Sequence, residues 1–214
     1  MKVLIYCTMA KPYLMPFWKE KETIGYMLST EFSEDEDEVY SMKYNGSVCF
    51  ECECKEAFYI PCEKCDDGCF RYSFVHTKVK CDEFIRRSHL LPYELDDYSY
   101  PKSVYAYHFE NIKPIAPMPI TQLYRDGTMV YPLTRAPQSY CFAYRKVETT
   151  KEDYLANVGK DESRYYLQEN GKFFYSEKFL VFSIRSPWVC KIANGNKDLE
   201  VRKTRIANAG IEYK

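Results

Sequence analysis

No stretch of this 214-residue chain approaches the run of about 18 apolar residues that spans a bilayer as a helix. The opening MKVLIYC offers one lysine and a four-residue apolar run, far short of the hydrophobic region of a secretory leader. The expectation is a cytosolic protein with reduced thiols and no membrane partner. Charge of one sign is missing too. Thirty basic residues face 31 acidic ones, a net charge of −1. Nothing therefore pulls the whole molecule towards nucleic acid or membrane, and any polyanion site has to be a local patch. There is no Gly-rich phosphate loop, no nucleophile elbow and no His-Glu-x-x-His pair. Their absence argues against the common kinase, hydrolase and protease classes.

Aromatic side chains are abundant: 17% of the chain, including 21 tyrosines. Flat aromatic bodies pack well on a pleated surface, which favours strands. Apolar residues make up 46%, enough for a real core and too many for a disordered chain. The composition predicts one β-rich domain over residues 1–214.

Periodicity and turn chemistry place the elements. KVLIYCT (2–8) reads as a buried strand. KPYLMPFW (11–18) is broken by prolines, and EDEDE (34–38) is a solvated acidic loop. Asn45-Gly46 is a turn signal, after which Val48, Phe50, Cys52 and Cys54 fall on one strand face. Residues 61–81 read as a cysteine-rich loop, and LPYELDDY (91–98) as one or two helical turns opened by Pro92. Strands are expected over 103–112 and 140–145, with a proline-broken loop between them. Residues 148–178 read as a polar linker followed by a hairpin at Asn170-Gly171.

The last third carries the most specific pattern. FLVFSI (179–184) is a strand, Ser186 and Pro187 suit a helix start, and PWVCKIA is the helix, with Trp188, Val189 and Ile192 turned inward. Asn194-Gly195 ends it. In the strand KDLEVRKTR, Leu199 and Val201 share one face while Glu200, Arg202 and Thr204 share the other. The segment around it is the local basic patch: Lys191, Lys197, Arg202, Lys203, Arg205 and Lys214 outnumber Asp198, Glu200 and Glu212.

The string SIRSPWVCKIANGNKDLEVRKTR resembles the signature of the ASCH domain family, within the PUA-like superfamily. That pattern is a strand, Ile-Lys/Arg-x-x-Trp, a short helix, then Gly-x-Lys-x-x-Glu-x-Arg. Ile184, Arg185 and Trp188 match the first part, and Gly195, Lys197, Glu200 and Arg202 the second. VLIYCT, NGSVCFECEC, YAYHFENI and LTRAPQSYCFAYRKV resemble segments that follow the signature in phage and gut-bacterial members. Here the signature (179–205) comes last. The resemblance therefore implies an α+β fold built on a small mixed β-barrel with short flanking helices, circularly permuted, with 148–178 joining the permuted halves.

It also implies a cleft that holds RNA, DNA or a modified nucleoside, lined by Arg185, Lys197, Glu200, Arg202, Lys203 and Arg205. Those residue types suit the task. Arginine presents a two-pronged donor fork to phosphate or a base carbonyl, and a carboxylate accepts from exocyclic amines. The same three charges would also make a structural ion network. Small ASCH relatives include amidohydrolases of acetylated cytidine that use a Lys and a Thr three residues later. Lys197 matches the first and would be the catalytic residue of such an enzyme, but Glu200 stands in the threonine position. A third expectation is a zinc-stabilised interaction module. Cys62, Cys65, Cys69 and Cys81 provide one C-x-x-C knuckle and two further thiols, a candidate four-thiolate set. His76, His89 and His108 show no ligand spacing.

Overall fold

The structure is a computed structural model that describes residues 1–8, 46–90 and 92–214. The expected proline-broken segment 11–18, the acidic run 34–38 and Asn45 lie outside them.

The apolar run near the start is strand β1 (Lys2–Thr8). Alternation sends Val3, Ile5 and Cys7 into one core and Leu4 into another on the opposite face. A strand covered on both faces has no solvent side, so its sequence reads as continuous apolar rather than alternating. On one side β1 pairs antiparallel with β2 (Ser47–Ile60), on the other parallel with β9 (Lys172–Arg185).

β2 departs from simple alternation. Its register with β5 (Val104–Pro119) shifts between Val48 and Phe50. That bulge puts Val48 in the core shared with Leu4, while Cys49, Phe50, Cys52 and Cys54 enter the other. β5 also runs past the expected strand end, through the prolines as far as Pro119. Its outer edge is paired by β10 (Leu199–Arg202) only from Tyr105 to His108. Beyond that stretch β5 is flanked, among the described residues, by β2 alone, an edge position that tolerates residues lacking an N–H.

β7 (Tyr140–Thr149) and β9 pair from Tyr140↔Phe182 to Thr149↔Phe173. Residues 148–178 are thus mostly built into the sheet. They hold the end of β7, helix α3 (Lys151–Asn157), β8 (Tyr166–Glu169) and the first half of β9. The hairpin sits at the expected dipeptide, with φ of 49° at Asn170 and 77° at Gly171, the two positive values a two-residue turn needs. The expected loop 61–81 contains a small hairpin, β3 (Cys62–Lys64) with β4 (Phe70–Tyr72). Helix α1 (Cys81–Ser88) forms where no helix was expected. Helix α2 (Pro92–Ser99) begins at the expected proline. Helix α4 (Ser186–Ala193) starts one residue before PWVCKIA.

The main sheet runs β10-β5-β2-β1-β9-β7-β6, where β6 is Leu123–Tyr124; β8 joins β9, and β11 (Glu212–Tyr213) joins β2. The fold is α+β and rich in strand, the latter as composition predicts, but the sheet does not close into the barrel that the resemblance implies. β9 has β1 on one edge and, up to Phe182, β7 on the other; at Ser183 β10 reaches it through the Arg202 side chain rather than through a ladder. The sheet instead curls until rings from β5 and β9 meet across its concave side. Tyr107 and Phe109 lie 5.5 and 5.3 Å from Phe182, centroid to centroid. All three are buried, and burying a side chain of this size is worth about 1.5–3 kcal/mol. Val189 and Ile192 of α4 and Ile206, Ala209 and Ile211 of the tail close this core. β1 and β10 share the sheet without pairing; β2 and β5 lie between them. Among the described residues no helix is long and apolar enough to cross a membrane.

Candidate nucleic-acid interface

β10 is short because its lead-in is fastened to α1. The Asp198 N–H donates to the Arg87 carbonyl (3.2 Å), and the Arg87 guanidinium grips the Asp198 carboxylate, Nε to Oδ1 at 3.0 Å and Nη2 to Oδ2 at 3.0 Å. Lys197 completes the fastening. Its Nζ donates to the Ser88 carbonyl (2.8 Å) and the Leu199 carbonyl (2.6 Å), and lies 3.5 Å from Glu200 Oε2. An ammonium has three donors, and here each has an acceptor. Ser88 is the last residue of α1, so the lysine also meets the negative end of the helix dipole. Lys197 is 2% exposed, beneath the Trp188 ring at 5.3 Å. Burial pulls its pKa below the ordinary lysine value, against the opposing pull of Glu200.

Alternation in β10 points Leu199 and Val201 into a core with Phe84 and Leu95, and Glu200 and Arg202 onto the concave face. Arg202 Nη2 donates to Glu200 Oε1 (2.8 Å) and to the Ser183 carbonyl on β9 (2.7 Å). Its guanidinium carbon lies 5.6 Å from the Phe182 centroid. Arg202 Nε is buried and has no hydrogen-bond partner among the described residues. Ser183 is itself tied to the 134–139 turn: its hydroxyl donates to the Pro137 carbonyl (2.6 Å) and its N–H to the Ser139 carbonyl (2.9 Å).

The six sequence-predicted residues therefore divide. Lys197 and Glu200 are buried, and Arg202 is half-buried between them and β9. Lys203 and Arg205 lie past the strand end, exposed, with Lys203 Nζ 4.7 Å from the Tyr98 ring and the Arg205 guanidinium 4.3 Å from that of Tyr213. Arg185 is exposed at the end of β9, before α4. Trp188 is half-buried against the core, and Val189 and Ile192 are fully inside.

Tyr98, Ser183 and Tyr213 join this neighbourhood without any signal in the sequence, because each arrives from a different element. Tyrosine is too common in this chain for one residue to stand out.

The four cysteines are spread over one hairpin and the start of α1. Cys62 is on β3, Cys65 and Cys69 flank the β3–β4 turn, where the Cys65 N–H donates to the Cys69 carbonyl (2.7 Å), and Cys81 opens α1. All four are free thiols. Among the described residues no three His, Cys, Asp or Glu side chains are placed to hold a metal ion. His108 is held by Glu56, Nδ1 to Oε1 at 3.0 Å, and stacks on Phe58. No protein-family model, curated protein or solved structure matches the chain.

Proposed function

We propose that this protein binds nucleic acid or a modified nucleoside on the concave face at the β9–β10 gap, with Arg202 at its centre and Lys203 and Arg205 beside it. The observation that carries this is the Arg202 guanidinium. Two acceptors and an aromatic ring fix it in place while its buried Nε–H has no acceptor among the described residues. An unsatisfied buried donor is costly, and such groups mark sites where another acceptor belongs. A phosphate oxygen or base carbonyl supplies one. The likeness of 179–205 to the ASCH signature supports the same reading, as do the exposed positions of Arg185, Lys203 and Arg205. With it goes the inference that the chain is a circular permutant of a PUA-like fold, in which β1 follows the signature. β1 pairs with β9, the strand that opens the signature, and not with β10, the strand that ends it.

Lys197 has a fastening role in this reading, since its donors are committed to protein acceptors.

The test is fluorescence-anisotropy titration of labelled RNA and DNA at two salt concentrations, for the wild type, Arg202→Lys and Lys203→Ala/Arg205→Ala. Wild-type affinity should fall with salt. The double variant should flatten that dependence by about one unit of log–log slope for each phosphate it no longer neutralises. Arg202→Lys should weaken binding while leaving the salt slope near that of the wild type. A wild type that binds neither polynucleotide nor modified nucleosides would end the proposal.

A further inference from the structure

Register places three side chains in one row across the mouth of the concave face. Tyr59 on β2 is opposite Tyr105 on β5, and Tyr105 is opposite Arg202 on β10. Directly opposed residues share a sheet face, so the row is continuous. The Tyr59 and Tyr105 rings lie 5.2 Å apart at 39°. Tyr213 meets Tyr105 edge-on at 5.7 Å and 88°, and Arg205 lies against the Tyr213 ring. The Tyr59 hydroxyl is fixed to the Ser103 hydroxyl at 3.1 Å. Tyr59 leaves 41% of its surface open, so its ring is reachable from solvent.

Cationic side chains border the row. Arg202 ends it, and Arg205 and Lys203 flank it on exposed loop positions. Among the described residues, Glu200 on the same face is held by Arg202 and Lys197, while Glu212 is exposed and lies 3.7 Å from Lys214, whose ammonium also pairs with Glu56. An apolar, π-faced strip bordered by cations complements a chain of flat bases on a phosphate backbone.

We propose that Tyr59 and Tyr105 form a stacking platform for unpaired bases, so that the polyanion taken here is a single strand. This rests on the nucleic-acid reading above and narrows it. In a duplex each base is covered on both faces by its neighbours, and a side-chain ring finds no open π-face except at an end. In a single strand the bases splay and stack on tyrosine, while Lys203 and Arg205 meet the phosphates.

The experiment compares oligo(U) and oligo(dT) with the corresponding duplexes at fixed salt, for the wild type, Tyr59→Leu, Tyr105→Leu and Lys203→Ala/Arg205→Ala. Leucine keeps apolar bulk and removes the π-face. Each tyrosine variant should bind single strands about 5- to 160-fold more weakly, with little change towards duplexes. Oligo(U) against oligo(dT) separates RNA from DNA. Photocrosslinking of 5-iodouracil-substituted oligo(U) to the wild type should give adducts at Tyr59 or Tyr105, a readout that does not depend on how a variant folds. Duplexes binding as tightly as single strands, or adducts confined to other residues, would overturn the platform. If only Lys203→Ala/Arg205→Ala weakens binding, the platform falls while the nucleic-acid reading stands. Binding of a modified nucleoside but of no polynucleotide has the same meaning. If the wild type binds none of these, both fall.

Discussion

Arg202 Nη2 donates to the main-chain carbonyl of Ser183 at 2.7 Å, joining β10 to β9 where no strand ladder does. The same nitrogen neutralises Glu200, which is 7% exposed. Replacing Arg202 by methionine therefore removes the bridge and strips a buried carboxylate of its nearest partner. Breaking a buried pair from one side costs about 3–5 kcal/mol. Since Lys197 stays 3.5 Å from Glu200, the lower end is expected. Urea unfolding monitored by circular dichroism should show the loss, and Arg202→Met/Glu200→Gln should recover part of it.

Lys197 should behave as a fastener. Lys197→Met retains the stem under Trp188 but leaves the Ser88 and Leu199 carbonyls without their donor. Unsatisfied buried acceptors cost about 1–3 kcal/mol each. Amide hydrogen exchange should show the damage at the C-terminal end of α1 and the start of β10, with other regions following only through global unfolding. Protection unchanged at both places would refute the role.

Alkaline pH should weaken the fold. Burial raises the thiols of Cys7 and Cys141 from 9.0 to about 11, and that of Cys54 to about 12. Above pH 9 the unfolded chain gives up these protons while the native chain keeps them, so stability present below pH 9 is lost as pH rises towards the folded values. The slope is about 1.4 kcal/mol per pH unit for each such thiol. Lys197 acts in the opposite sense: its lowered pKa leaves the unfolded state binding more protons, which raises stability with pH. Several thiols against one lysine decide the sign. Urea midpoints should fall between pH 8.5 and 10.5, and the fall should be shallower in Cys7→Ala. A flat profile would contradict the burial of these thiols.

Gly171→Ala tests the hairpin that starts β9. Its φ of 77° is strained for any residue with a Cβ, yet an added methyl would meet nothing within 4 Å. The cost is then backbone alone, about 1–2 kcal/mol. A lower thermal midpoint with β8–β9 still paired by NMR is the expected result.

Several elements were legible from the chain because their causes are local. KVLIYCT makes β1 from a run of strand formers. Asn170-Gly171 makes its turn because both positions accept positive φ. Gly195, at φ 72°, lies just past α4 for the same reason. The alternation of Leu199 and Val201 with Glu200 and Arg202 predicted their faces correctly. Other features depend on distant partners. Residues 112–119 look like loop until β2 supplies a strand to pair with, and 172–185 looks like two segments until β7 lines its length. Of the cysteines with the spacing of ligands, three lie in the β3–β4 hairpin and Cys81 opens α1, so only the tertiary structure relates the fourth to the others.

The site divides along the same line. The sequence by itself determined which charges occupy β10 and which face each one takes, since a strand's period is two wherever it lies. Only the tertiary structure decided that Lys197 would be consumed by the end of α1, that Arg202 would reach Ser183, and that Tyr59 and Tyr105 would complete its row. Those outcomes depend on long-range register and on the curl of the whole sheet. The packing of Phe182 against Tyr107 and Phe109 sets that curl, and no local window of sequence contains all three rings.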